Sequence, residues 1–488
     1  TMDKILLCCV TLRKRKNHFM TNMITKPIVR EIIQDFASEI KKRKRTGVKP
    51  SFEVIFFREE HRKNIERPVY EVPIELLRFR KDNGRIASDI IGYEKNYGPL
   101  LEKSDDAQAV IREYLEKKDP PKTIELINSI KHSSQRNAAI ITADGFLING
   151  NRRKVAIEKL WEETKDERYH WMKVVILPGV DDEGGPPTIK EVEQIENRYQ
   201  LQSEGKSEYY NFDRALSIRR KIDLGMTLEE QLRDDPNFVK LPQKEFIKVV
   251  RKYEDEFIKP LECIDRYLEQ LVREGLYYTI STGISDREGR WQAFLDYYNH
   301  VKTKLDDEYK RNKYTIIKED ETGEAEEIAF KIIRKREFKD LPKVHKIMRD
   351  LPKWFNNEES KKELFNLLEI NNELPYDDCY DEDGNEYDER KKDQIWSAKH
   401  STKLHRHVKN AQRIVEHERE RETPITLMDA AIKKLEHENM DLTSIEILEN
   451  YKLVREKLVK IQEIACNLES EWYNLKKNIN KLKDKFGK

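Results

Sequence analysis

Apolar residues along this chain change their spacing near residue 180, and that change divides it into a mixed front part and a helical remainder. Residues Ile24 to Arg45 carry apolar positions at helical spacing and end in Lys41-Lys42-Arg43-Lys44-Arg45, with Gly47 and Pro50 as breakers. From Phe52 the runs shorten: Phe52 to Phe57 and Val69 to Val72 read as strands, followed by Pro73-Ile74-Glu75-Leu76-Leu77 and a turn at Asp82-Asn83-Gly84-Arg85. A helix is predicted from Ala107 to Lys118, stopped by Pro120-Pro121, with Thr123 capping another from Ile124 to Ile130. Ala138 to Thr142 and Val174 to Pro178 read as buried strands. Alternation of this kind over residues 52 to 180 predicts a mixed α/β domain of ordinary size.

After the loop Asp181 to Pro187 the three- and four-residue spacing takes over, in Ile189 to Gln202, Tyr209 to Leu224, Thr227 to Arg233, Gln243 to Glu274 and Arg290 to Lys310. Tyr314 to Ile317 and Ile328 to Ile333, flanking Glu321-Thr322-Gly323-Glu324, are read as a hairpin. Lys399 to Arg421 is a basic helix. A capping box at Thr443 and Glu446 opens a long terminal helix in which Tyr451, Leu458, Ala465, Trp472 and Ile479 fall seven apart, as do Val454, Ile461, Leu468, Leu475 and Leu482. That seam predicts self-association or a hairpin with the helix Ile425 to Glu438, self-association being favoured because the second helix is shorter. The pattern yields five segments: an N-terminal helical extension (1–51), a mixed α/β domain (52–200), a helical domain (201–350), a charged linker with the basic helix (351–424) and a coiled coil (425–488).

Composition narrows the picture. Charged residues are 38% of the 488, yet 93 Lys and Arg nearly cancel 92 Asp and Glu, so any nucleic-acid contact has to be local. Cys8, Cys9, Cys263, Cys379 and Cys466 are scattered without metal-ligand spacing, which points to a reducing, cytoplasmic setting. The apolar opening Ile5 to Val10 is far short of the roughly 20 residues a membrane span needs. The acidic stretch Tyr376 to Arg390 lacks the glycine position of a calcium loop and reads as solvated. His400, His405 and His407 are not spaced to share a metal ion.

The chemistry concentrates at Asp144 to Arg153. Phe146-Leu147-Ile148 runs into Asn149-Gly150 and then Asn151-Arg152-Arg153 at the head of the helix Lys154 to Trp161. Glycine allows close backbone approach, free N–H groups at a helix start attract anions, and paired guanidiniums grip phosphate oxygens. The competing reading pairs Arg152 and Arg153 with nearby acids such as Glu158.

Taken in order, Val72-Pro73-Ile74, Arg85, Gln135-Arg136-Asn137, Gly150-Asn151-Arg152-Arg153 and Glu196-Asn197-Arg198-Tyr199-Gln200 resemble the N-terminal domain of the ParB/sulfiredoxin superfamily over roughly residues 69 to 235. The resemblance implies an α+β fold: a ParB-like mixed domain followed by a mostly helical region with a C-terminal coiled coil. It implies nucleoside triphosphate (CTP or ATP) and Mg²⁺, with Gly150, Asn151, Arg152, Arg153, Gln135, Arg136 and Arg85 on the nucleotide. Glu196 and Asn197 would sit at the metal, Glu196 also serving as the catalytic carboxylate of any NTPase, phosphotransferase or nuclease activity. Asn151 replaces the family's usual glutamate, and Gln200 its closing arginine. The absence of cysteine at position 151 excludes peroxiredoxin repair.

The family continues into a helix-turn-helix, and Thr227 to Leu232 followed by Pro242 to Lys252 has that outline, with Gln243, Lys244, Lys248, Arg251 and Lys252 facing DNA. The expected function is a nucleotide-dependent switch associated with DNA, in partition, regulation or phage defence. A phosphotransferase or nuclease, or an adaptor with a decayed nucleotide site, are the alternatives.

Overall fold

A computed structural model of the chain describes residues 28–47, 49–55, 57–58, 66–201, 211–235, 237–281, 290–438, 440, 442 and 448–486. The segment Ile5 to Val10, the start of the first predicted helix, Cys8, Cys9 and the capping box at Thr443 and Glu446 lie outside these residues. Two units divide it, Thr1–Val415 and Glu416–Lys488. The chain is mostly helical with a small mixed sheet, an α+β arrangement, and no helix among the described residues is long and apolar enough to cross a membrane.

The sheet contains β1 (Arg45–Thr46), β2 (Phe52–Val54), β3 (Glu66–Pro73), β4 (Ala139–Ile141) and β5 (Trp171–Ile176), ordered β1-β3-β5-β4 with β2 also on β3. β3 runs antiparallel to β5 with Val72 opposite Met172, and β4 runs parallel to β5 with Ile140 opposite Val175. Period-two alternation sorts the side chains: Val72, Met172 and Val174 enter one core, Val69, Val175 and Ile140 the other.

The first core is covered by α2 (Ala87–Tyr97), α3 (Asp105–Lys118), α4 (Pro120–Ser133) and α5 (Asn151–Thr164), following the short α1 (Gln34–Arg43). α3 illustrates why these form. Ser104 accepts the Ala107 N–H as an N-cap, and Ala107, Ile111 and Leu115 bury one face at four-residue intervals. The opposite core receives Val192 and Ile195 from α6 (Ile189–Leu201). α4 starts earlier than the sequence suggested, with Pro120 and Pro121 in its first turn; Thr123 lies inside it, its hydroxyl donating to the Asp119 carbonyl rather than capping. The basic run is tied down by Arg43 to Glu75, Arg45 to Glu71 at 2.9 Å, and the Lys44 ammonium over Tyr70.

A larger core of helices begins with α7 (Asn211–Asp223), α8 (Leu228–Arg233) and α9 (Gln243–Tyr253) and continues to Ala411. The predicted helix Gln243 to Glu274 is interrupted by a π turn at Glu254–Ile258 just before Pro260, whose missing N–H cannot sustain the regular ladder. A second π turn at Tyr298–Lys302 divides the stretch predicted from Arg290 to Lys310.

The hairpin reading is overturned. Thr322–Lys335 is a helix burying Ala325, Ile328, Ala329, Ile332 and Ile333, a three-and-four pattern that a strand cannot place on one side. The basic helix breaks at His400, and Leu404, Val408 and Ala411 of Ser401–Leu435 enter the core. His407 is committed to Glu363 at 2.8 Å.

In the second unit, Leu448–Phe486 is one 39-residue helix.

Candidate functional site at the head of α5

The turn that precedes α5 is fixed by a buried carboxylate. Asp144 accepts the Thr142 hydroxyl at 2.6 Å, the Ile33 N–H at 3.0 Å and Arg30 Nη1 at 2.9 Å, which docks the chain ahead of α1 onto it. Asn149 Oδ1 then accepts the Ile140 N–H at 2.7 Å and joins the next bend to β4. Gly150, at φ 85° and ψ 10°, caps α5 in the left-handed region. An added Cβ there would lie 2.7 Å from that of Ala139, so the helix start rests directly on the sheet.

Asn151 is 8% exposed, and its Oδ1 has no hydrogen-bond partner. A buried acceptor without a donor costs about 1–3 kcal/mol. Within the protein this acceptor at the head of α5 is left unmatched. Arg152 reaches Asp119, at the entrance to α4, at 3.4 Å. Arg153 donates to the Asn137 carbonyl at 2.8 Å and lies in the electrostatic field of Glu53 and Tyr199; burial lowers its proton affinity, and those two groups oppose the shift. Neither arginine uses Glu158, which pairs with Lys154.

α6 supplies the second motif. Tyr199 is within electrostatic reach of Arg153, and burial pushes its hydroxyl up to about 12. One turn earlier, Glu196 is buried beside Arg80 (3.6 Å) and accepts the Gly84 N–H at 3.4 Å, next to Arg85. Its pKa is raised, first by burial and then by Glu193, against Arg80, Lys221 and Arg220. Asn197 is fully engaged: its Oδ1 accepts from Lys221 at 3.1 Å and its Nδ2 donates to the Gln231 carbonyl at 2.9 Å.

As placed, both polar ends of the Asn197 side chain are bonded within the protein. To take Mg²⁺, Asn197 would have to leave two buried bonds, and an ammonium stands at its oxygen. Among the described residues no group of three or more metal-binding side chains converges.

The resemblance-based positions therefore separate. Arg152 and Arg153 are neighbours in α5 but turn to different partners, Asp119 and the Asn137 carbonyl, and Tyr199 of the second motif is within electrostatic reach of Arg153. Glu196 holds the Gly84 N–H, one residue before Arg85, whose own N–H donates to Asn83 Oδ1. Gln135 is a sheet clamp, bonding the Lys173 carbonyl at 2.7 Å and N–H at 2.8 Å, while Arg136 turns to Ser133 at 3.1 Å.

Residues that the sequence reading passed over complete the polar interior. Arg80 pairs with Glu193 at 2.7 Å, Arg220 reaches Glu193 at 3.2 Å, and Lys154 lies over the Phe79 ring at 4.0 Å. Glu193 stands one turn before Glu196 on α6, a spacing visible in the sequence; Arg80 carried no such signal. At the end of α3, Lys118 bridges Asp213 of α7 at 3.0 Å and Asp89 at 3.3 Å, and burial pushes Asp213 up to about 6.

Farther along, α8 and α9 are joined through residues 234–242, a longer connection than the three or four residues of a tight helix-turn-helix. Arg233 ties them, donating to Gln243 Oε1 at 3.0 Å and lying over Phe246 at 3.5 Å. Lys244, Lys248, Arg251 and Lys252 are exposed on α9. The last three line an open groove of about 460 Å³ with Asp255, Glu256 and Asn299.

No protein-family model, no curated protein and no solved structure matches this chain.

Proposed function

We propose that the head of α5 binds the phosphates of a nucleoside triphosphate, CTP or ATP, and that occupancy controls how the helical part engages a partner. The observation that carries this reading is Asn151, buried with an unmatched acceptor at a glycine-capped helix start that also carries Arg152 and Arg153. A polyphosphate would accept from the α5 backbone N–H groups and the two guanidiniums, and a ribose hydroxyl or base amine would donate to Asn151. Asp119 is the internal carboxylate that an incoming phosphate would displace from Arg152. Glu196 and Asn197 then serve as positioning residues that set α6 against α7 and leave Tyr199 beside Arg153. Mg²⁺ would arrive on the nucleotide itself.

Isothermal titration of CTP, ATP, GTP and UTP, with and without magnesium, tests the reading. Saturable binding by wild type, weakened at least tenfold in the Arg152→Ala, Arg153→Ala double variant, is expected. Identical titrations for both proteins, or no binding by wild type, refute it.

DNA is the favoured partner because α9 exposes Lys244, Lys248 and Lys252 four residues apart, with Arg251 beside them on the same side. Gln243 is occupied by Arg233 and is left out of that surface. A gel-shift titration should weaken steeply with salt and collapse on replacing all four cations by Ala; retention of wild-type affinity would exclude this face.

A further inference from the structure

The helix Leu448–Phe486 spans about 58 Å at 1.5 Å per residue. It leaves Tyr451, Leu458, Ile461, Leu468, Trp472, Leu475 and Ile479 exposed, between 40 and 65% each. The helix preceding it offers little cover. Its apolar positions from Ile425 to Leu435 extend about 15 Å, and Ile425, Leu427, Met428 and Ile432 are themselves exposed. A stripe of this length needs a partner of similar length, and a second copy of this chain brings one.

Charge and side-chain size both select the direction in which that copy runs. Set antiparallel with the two-fold axis at the level of residue 463, Trp472 lies opposite the partner's Val454, Ala465 opposite the partner's Ile461, Leu458 opposite the partner's Leu468, and Tyr451 opposite the partner's Leu475. Large residues meet small or medium ones throughout, as dense packing requires. The flanks agree, because Lys457 meets the partner's Glu471 and Arg455 meets the partner's Glu469, each pair occurring twice by symmetry. Gln462 and Ile464 meet their own copies.

A parallel pair instead stacks alanine on alanine at 465 and tryptophan on tryptophan at 472, leaving a gap and then a clash. Among its flanking positions only Glu471 and Lys476 attract.

We infer that Leu448–Phe486 is the self-association element of this protein, forming an antiparallel two-stranded coiled coil with a second copy through the Lys457–Glu471 and Arg455–Glu469 flanks.

Sedimentation equilibrium on the full chain under reducing conditions tests this with two charge-reversed variants, Glu469→Arg with Glu471→Lys, and Arg455→Glu with Lys457→Glu. Wild type should be a dimer, and each variant alone should dimerise at least tenfold more weakly, because every flank becomes repulsive. An equimolar mixture should recover to within a few-fold of wild type, since each chain then presents the charge the other needs. That recovery also shows that both variants remain competent to fold. In the parallel arrangement, Arg455→Glu with Lys457→Glu would associate as wild type does, and that result overturns the inference. So does a monomeric wild type, a trimer, or a mixture no tighter than its components.

Discussion

Replacing Gly150 by alanine isolates the contact on which the whole candidate site rests. Two costs combine in this substitution. An L-residue in the left-handed region costs roughly 1–2 kcal/mol. The new methyl also lies 2.7 Å from the Ala139 Cβ and 3.5 Å from Met172 Cε. Ala139 and Met172 are fully buried, and Ala139 is held in β4 against Val174, so neither can move away without disturbing the sheet. Overpacking of that kind costs roughly 1–3 kcal/mol, and the sum is about 2–5 kcal/mol. Gly225 supplies the control, because it has the same φ of 85° with no atom within 4 Å of an added Cβ. Gly225→Ala should therefore lose only the backbone part, roughly 1–2 kcal/mol. Urea denaturation followed by circular dichroism, wild type against each variant, reads the difference. Equal losses would show that α5 does not rest on β4 as described and would remove the physical basis for the proposed phosphate site.

Two further perturbations test the polar interior. Asp393 is buried among Arg273 (2.7 Å), Arg290 (2.7 Å) and Arg334 (2.8 Å), which hold its carboxyl far below the ordinary range. Asp393→Asn should cost about 3–5 kcal/mol at pH 7 by leaving those guanidiniums unbalanced; in wild type the contribution of this carboxylate should fade as pH falls below about 4. A urea midpoint within 0.5 kcal/mol of wild type at pH 7 would contradict this. Asp213 has the opposite sign: its pKa of about 6 exceeds the unfolded value, so its stabilising contribution is complete below about pH 4 and is lost as pH rises through 6. Asp213→Asn should flatten a pH dependence on the order of 2–3 kcal/mol between pH 4 and 7, and an unchanged pH profile would show that Asp213 does not titrate there.

What the sequence disclosed follows the range of the forces involved. Elements governed by neighbours three or four residues apart, such as α3 and α8, were legible as helices, although the Ser104 cap of α3 and the Thr227–Glu230 capping box of α8 emerge only in the structure. So was the glycine bend ahead of α5, because a positive φ followed by paired arginines is a local signature. Thr322–Lys335 was misread since Ile332-Ile333 and Ile328 resemble a strand until Ala325 and Ala329 are counted on the same helical face. The partners of the site were not legible at all. Arg80 meets Glu193 across 113 residues and Lys118 meets Asp213 across 95, and no local pattern encodes such pairs.

That distinction assigns different work to the two halves of α6. Glu193, Glu196 and Asn197 fall on one side of the helix, where Arg80, Arg220 and Lys221 neutralise them and bind α6 to α7. Tyr199 lies on the side where Arg153 is found. Buried charged groups that are paired fix relative orientation at little net gain in stability. This node therefore holds α6 and α7 in register, and the proposed phosphate contacts fall to the head of α5. Replacing Asn197 by leucine should accordingly disturb folding before it disturbs metal affinity: two buried bonds are lost and Lys221 keeps no amide partner, a cost of about 2–4 kcal/mol. A variant that unfolds at the wild-type urea midpoint and loses only the magnesium dependence of nucleotide binding would reverse the assignment and make Asn197 the metal ligand.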